Sequence, residues 1–295
     1  MQFVPAFRRI NVIVLSTGFA LACTFAHAAP LDVFVSILPQ KQFAERVGGD
    51  EVKVAVMVRP GMSPGNYEPT PQQMNALSQA TMFFRIGVPF EEKWMPKLSE
   101  INPAIRVVDT RTGITLLPMN QLAHAGQSAP AASGKPDPHI WTTPSLVKLQ
   151  AAAMRDALSA QRPEKKMVFE KNYAAFATDL DALDAEIRKL LADKQDRNFM
   201  VFHPAWGYLA HDYKLNQLPI EIEGKEPGPQ ALAQIIDEAK AHKVRVLFVQ
   251  QQFSRKAAEA VAQAIGGEVI NIDPLAEDFL TNTRHVAQML AKAMR

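Results

Sequence analysis

Two histidines and one aspartate stand where this chain could hold a cation. His139 lies in Asp137-Pro138-His139-Ile140-Trp141, His203 directly follows Val201-Phe202 and precedes Pro204, and Asp273 opens Asp273-Pro274-Leu275. Two neutral imidazoles and a carboxylate suit Zn2+, Mn2+ or Fe2+ at ligand distances of about 2.0–2.2 Å, whereas Ca2+ would demand an oxygen-rich shell. Plainer readings stand beside this one. An isolated histidine is commonly a packed or surface residue, and an aspartate after a strand commonly caps a turn. Prolines restrict the backbone before His139 and Trp141 offers it an apolar wall, while His203 and Asp273 each end a strand-like run. In open α/β sheets the carboxyl ends of the strands are where ligands bind. A fourth cluster, Pro60 to Pro69, is dense in proline and glycine and reads equally as a rigid binding loop or a structural turn. Sequence separation leaves open whether the three candidates converge.

Enzyme chemistry is the competing class, since His–Asp pairs also serve hydrolases. No serine nucleophile elbow is read in the chain, nor a His-Glu-x-x-His helix, a phosphate-binding P-loop or a Rossmann glycine fingerprint. A three-ligand metal would leave a position open for hydrolysis, yet no acidic group can be named beside it as a base. The expectation is a binding protein, not an enzyme. His211, in an ordinary helical context, is expected at the surface.

The elements that must position these residues alternate between strand-like and helical runs, the signature of α/β units with largely parallel sheets. Strands are expected at Asp32–Ser36, Val52–Val58, Met82–Ile86 and Ile105–Val108, then at Phe199–Phe202, Pro219–Ile222, Val244–Val249 and Val269–Ile272. Helices are expected over Lys41–Val47, after Thr70-Pro71-Gln72-Gln73 with its capping box, and after Thr143-Pro144 with Leu146, Leu149 and Met154 on one side. Further helices are expected near Tyr208 and over Gln230–Ala241, Arg255–Ile265 and Thr283–Met294, with Ser254 as a cap and Gly266-Gly267 as an exit. Between the halves, Phe169, Tyr173, Phe176, Leu180, Leu183, Ile187 and Leu190 recur every three or four residues. That stripe predicts one long helix from about 164 to 194, tying two lobes together. The fold class is therefore α/β, with two lobes of four largely parallel strands each, at 29–163 and 195–295. Residues 123–136, rich in Ala, Gly, Ser, Pro and Gln, read as a surface loop.

Residues 1–28 are expected to be a signal peptide: Arg8 and Arg9 precede an apolar run to Phe25, and Ala26-His27-Ala28 offers a cleavage site. A lipid anchor at Cys23 is disfavoured by the misplaced leucine of Ala20-Leu21-Ala22. Removing the leader takes away both arginines and the only cysteine, so the formal charge of +2 falls to balance. A balanced chain without basic blocks gives no polyanion site, so no nucleic acid partner is expected. Without cysteine, neither a disulfide nor a thiolate site is available.

Taken in order, Ser63-Pro64 with Tyr67-Glu68-Pro69, Asp137-Pro138-His139-Ile140-Trp141, His203-Pro204-Ala205-Trp206-Gly207-Tyr208, Phe248–Phe253 and Asp273-Pro274-Leu275 resemble a known family. It is that of the periplasmic solute-binding proteins of metal-ion ABC transporters, the zinc and manganese group. The resemblance covers essentially all of the mature chain. It implies two α/β lobes on one long helix, a divalent metal as cargo and delivery to a membrane permease by a monomer. It also implies His139, His203 and Asp273 as ligands. A further histidine of the first loop falls where this chain has Gly65, which has no donor atom. Water, Glu68 or Asn66, or a different metal or small ligand could fill that place. Gln250 replaces a carboxylate of the zinc-type pattern with a neutral amide and is a neighbour of the expected site. The His-rich acidic loop of many zinc members is reduced to His124. These departures motivate the alternative of an exported binding or adhesion module with altered or lost metal transport.

Overall fold

The computed structural model describes Met1 and residues 29–119, 135–222 and 224–294. The expected leader beyond Met1, His124 and most of the loop at 123–136 lie outside these residues. The first sheet holds β1 (Leu31–Val35), β2 (Val52–Val56), β3 (Met82–Arg85) and β4 (Arg106–Asp109), all parallel, in the order β2-β1-β3-β4. The second repeats that topology with β5 (Asn198–Val201), β6 (Asn216–Pro219), β7 (Val246–Val249) and β8 (Glu268–Asn271), in the order β6-β5-β7-β8. The central strands are buried because helices cover both faces, as parallel sheets require.

In the first half, α1 (Leu38–Gly48), α2 (Pro71–Leu77), α3 (Pro89–Ile101) and α4 (Pro144–Gln161) flank the sheet. Thr70 caps α2 as expected: its Oγ accepts from the Gln73 N–H, and the Gln73 Oε1 accepts from the Thr70 N–H. On α4, Leu149 faces solvent, and the buried face is instead Val147, Gln150, Ala151, Met154, Ala157 and Leu158. Thr143 precedes α4 but does not cap it, because its hydroxyl donates to Asp212 Oδ2 at 2.6 Å.

The long helix α5 (Lys166–Leu191) has 26 residues and follows a 3-10 turn at Pro163–Lys165. At about 1.5 Å per residue it spans roughly 39 Å, long enough to support both sheets. Phe169, Phe176, Leu180, Leu183 and Ile187 are fully buried along it, while Tyr173 and Leu190 are half-buried.

The second half adds α6 (Gly207–Tyr213), α7 (Pro229–Ala241), α8 (Lys256–Ile265) and α9 (Phe279–Ala293). Gly266 ends α8 in the left-handed conformation, φ 65°, as its position suggested. The last helix starts four residues before the expected Thr283, because Asp278 caps it through the Thr281 N–H. It then packs on α5, and Phe279 meets Phe43 of α1 edge-on at 5.2 Å. The final helix thereby joins the core of the first sheet.

One strand is displaced from its expected place in a way that matters for the site. β6 runs over Asn216–Pro219 rather than Pro219–Ile222, in register with Asn198–Val201 of β5. Proline ends it, and Ile220 and Glu221 turn over the sheet's carboxyl edge, both N–H groups reaching Phe202 O.

Candidate metal centre

The histidines and the side chains that hold them leave the carboxyl edges of strands or the loop before α4. His203 follows β5, and Gln250 follows β7. These two strands flank the point where the order of the second sheet reverses, the usual ligand position in such sheets. His139 sits before a 3-10 turn at Ile140–Thr142 and approaches from the first half. The two imidazoles meet there, with His139 Nε2 and His203 Nε2 3.2 Å apart.

Their outer nitrogens decide what those inner atoms can do. His139 Nδ1 lies 2.6 Å from Asp137 Oδ1, and His203 Nδ1 lies 2.7 Å from Glu221 Oε1. A carboxylate only accepts, so each Nδ1 is assigned the hydrogen and each Nε2 is left as a lone pair. Two lone pairs facing each other repel unless a cation stands between them. Two imidazole nitrogens on one tetrahedral zinc, each about 2.0–2.1 Å from it, would be roughly 3.3–3.4 Å apart. The observed separation is close to that geometry.

The surroundings favour a neutral ring at His203. Burial holds His203 below the ordinary histidine range; its bond to Glu221 opposes that lowering and the neighbouring His139 reinforces it. Phe253 stacks on the His203 ring at 4.8 Å, and Trp141 lies 5.0 Å from the His139 ring. A small cavity of about 30 Å³ is lined by both imidazoles with Ser63, Pro64, Gln252, Phe253 and others. That is the volume of about one water molecule or ion. Trp141 Nε1 donates to Pro274 O at 2.7 Å, tying the two halves beside it.

Asp273 flanks this cavity without its carboxylate lining it. Oδ1 accepts from the Leu275 N–H at 2.8 Å, and Oδ2 from Gln251 Nε2 at 2.9 Å. The side chain instead lines a neighbouring cavity of about 250 Å³ with Arg59, Gln251 and Glu277. Among the described residues, no three His, Cys, Asp or Glu side chains close on one point. Glu68 and Asn66 are exposed and not among the cavity's lining residues, and Glu68 is paired with Lys93 at 2.5 Å. Gly65 is also exposed. Gln250 is fully buried, but both ends of its amide bind the His203 backbone, so it orients that residue.

The residue that sequence reasoning missed is Glu221. By sequence it falls inside the expected strand Pro219–Ile222, and only the shift of β6 brings it to His203. Asp137 was quoted for its motif, and its two-residue spacing to His139 was the available signal for a carboxylate that orients an imidazole. A second omission concerns Gly61-Met62-Ser63-Pro64-Gly65, which does have the spacing of a serine nucleophile elbow. The setting is wrong for one. The next helix, α2, starts only at Pro71, and the Ser63 Oγ accepts from the Gly65 N–H at 3.2 Å.

With this geometry in view, four matches bear on identity. The sequence pattern described as "ZnuA: Zinc-uptake complex component A periplasmic" matches residues 33–293. The zinc-binding lipoprotein AdcA of Streptococcus pneumoniae serotype 4 (strain ATCC BAA-334 / TIGR4) is 28% identical over 266 residues, covering 87% of this chain and 53% of its own. This chain thus spans about half the length of that relative. The high-affinity zinc uptake system protein ZnuA of Bacillus subtilis (strain 168) is 27% identical over 249 residues, covering 82% of this chain and 78% of its own. A crystal structure of ZnuA superposes with a TM-score of 0.83 at 42% identity, covering 90% of this chain and 99% of the other. The matched pattern and the Bacillus subtilis relative are described as zinc-uptake components, and the family is one of transport components, not enzymes. The chain belongs to the ZnuA family of periplasmic zinc-uptake components.

Proposed function

We propose that this protein binds one divalent transition-metal ion in the cleft between its halves and delivers it to the membrane permease of an ABC importer. The observation that carries the reading is the pair of Nε2 atoms 3.2 Å apart, each backed by a carboxylate on the opposite ring nitrogen. His139 and His203 donate the imidazole nitrogens. Asp137 and Glu221 fix their tautomers and balance the charge of the ion. Asp273 is the third ligand in this reading. Its approach requires the carboxylate to leave Gln251 and turn toward the His139–His203 cavity.

Zinc is the first candidate, supported by the family description and by the relatives' names; Mn2+ is the second and Fe2+ the third. The working division of the chain is a leader at 1–28, a first lobe at 29–163, a connecting helix at 164–194 and a second lobe at 195–295. The protein acts as an exported monomer, without nucleic acid. Among the described residues no helix is long and apolar enough to cross a membrane.

Metal analysis of protein purified without chelator, followed by titration with Zn2+ and Mn2+, tests this reading. About one ion per chain and a melting temperature that rises with metal concentration are expected. Protein that neither carries nor takes up metal would overturn the reading and favour the exported binding or adhesion module instead.

A further inference from the structure

One more polar group in the wall of the His139–His203 cavity is left unsatisfied. Gln252 lines that cavity, and its amide oxygen Oε1 is buried with no hydrogen-bond partner among the described residues. The other end of the amide, Nε2, faces Asp273 Oδ1 at 3.5 Å. Turning the amide over would set its oxygen against a carboxylate oxygen, so the nitrogen is assigned to Asp273 and the oxygen away from it.

A buried amide oxygen without a donor is costly, and such groups in native structures call for an explanation. Both imidazoles and the side chain with this orphaned acceptor line the same cavity. The loop at 60–69 supplies Ser63 and Pro64 to the same wall but no imidazole, and Gly65 carries no donor atom at all.

We infer that Gln252 Oε1 is a ligand of the bound metal, completing a set of two imidazole nitrogens and oxygen donors. The inference rests on the proposed role of His139 and His203. A neutral amide oxygen is a harder and weaker donor than an imidazole, so the resulting site discriminates less sharply between Zn2+ and Mn2+ than an all-imidazole one. The same side chain also links the ion to Asp273, since its Nε2 faces that carboxylate. Gln252 therefore has two roles that can be separated by substitution.

The test uses the full exported chain, stripped of metal by a chelator. Zn2+ affinity is measured by competition with a chromophoric chelator, and Co2+ is added as a spectroscopic probe of the donor set. Gln252→Leu removes both amide functions. Gln252→Glu keeps an oxygen donor but cannot donate to Asp273. The inference expects Gln252→Leu to lose at least about tenfold in Zn2+ affinity and to shift the visible Co2+ bands, with Gln252→Glu recovering wild-type affinity or better. Wild-type affinity and an unchanged Co2+ spectrum in Gln252→Leu would overturn it. So would a Gln252→Glu protein as weak as Gln252→Leu, because the residue would then act only through Asp273. If the wild-type chain takes up no Zn2+, or His203→Ala binds as tightly as wild type, the underlying metal-site reading fails and this inference falls with it.

Discussion

Gln250 meets the backbone of His203 with both ends of its amide. Its Oε1 accepts from the His203 N–H at 3.2 Å, and its Nε2 donates to His203 O at 2.6 Å. The pair bridges the ends of two neighbouring strands, β5 and β7, and fixes the backbone from which the His203 imidazole projects. By sequence, Gln250 reads as a lost carboxylate. In the structure it is a support. A glutamate at this position could accept from the N–H but would leave the carbonyl without its donor.

Gln250→Ala is expected to lower Zn2+ affinity by about tenfold, because an imidazole that is less well held costs order before it can bind. Two buried hydrogen bonds are lost as well, so the metal-free protein should be less stable by about 1–3 kcal/mol. Calorimetric titration and denaturant unfolding measure the two effects separately.

Glu221 acts on the same imidazole from its far side. Glu221→Ala should release the Nδ1 hydrogen of His203 and let the ring adopt the other tautomer, reducing metal affinity by about 10–100-fold. Glu221→Gln keeps an acceptor for Nδ1 and loses only the charge, so its effect should be smaller. Nitrogen NMR of the histidine ring gives the tautomer directly, and a ring that keeps its hydrogen on Nδ1 in Glu221→Ala would remove Glu221 from this role.

Acid stability should carry the mark of a different carboxylate. Glu51 accepts from Lys165 at 2.5 Å and from Arg162 at 2.9 Å, fastening the start of β2 to the entry of α5. The bond from Lys165 holds its carboxyl below the usual glutamate range, against the opposing effect of burial. The folded protein thus binds this proton less readily than the unfolded chain. Its contribution is complete above the unfolded value of about 4.3 and is lost as pH falls through the folded one. Glu51→Gln should cost about 1–2 kcal/mol at neutral pH and flatten the acid side of the stability curve, which denaturation at a series of pH values would detect.

The elements most legible in the sequence were those whose pattern is local. Apolar runs gave seven of the eight strands to within a few residues, since parallel strands buried on both faces leave little polar alternation to confuse. Thr70 and Gln73 announced α2 because a capping box is a short-range device, and the stripe from Phe169 to Ile187 announced α5. What stayed hidden depended on register or on distant partners. Pro219 looks like the start of a strand, yet pairing with Val201 makes it the end of one, and Glu221 moves to the site as a result. Thr143 looks like a cap, yet Asp212, far along the chain, takes its hydroxyl. The candidate site was legible in part. By sequence His139 follows a polar loop and His203 ends a strand-like run 64 residues on, and their encounter at 3.2 Å depends on the tertiary fold, which no local spacing encodes.

The central claim is that His139 and His203 jointly hold one metal ion. Equilibrium dialysis of the chelator-stripped protein against Zn2+, with His139→Ala and His203→Ala in parallel, tests it most directly. The account predicts one ion per wild-type chain and at least about a tenfold loss of affinity in each variant, with the fold retained. Equal uptake by wild type and both variants would contradict it.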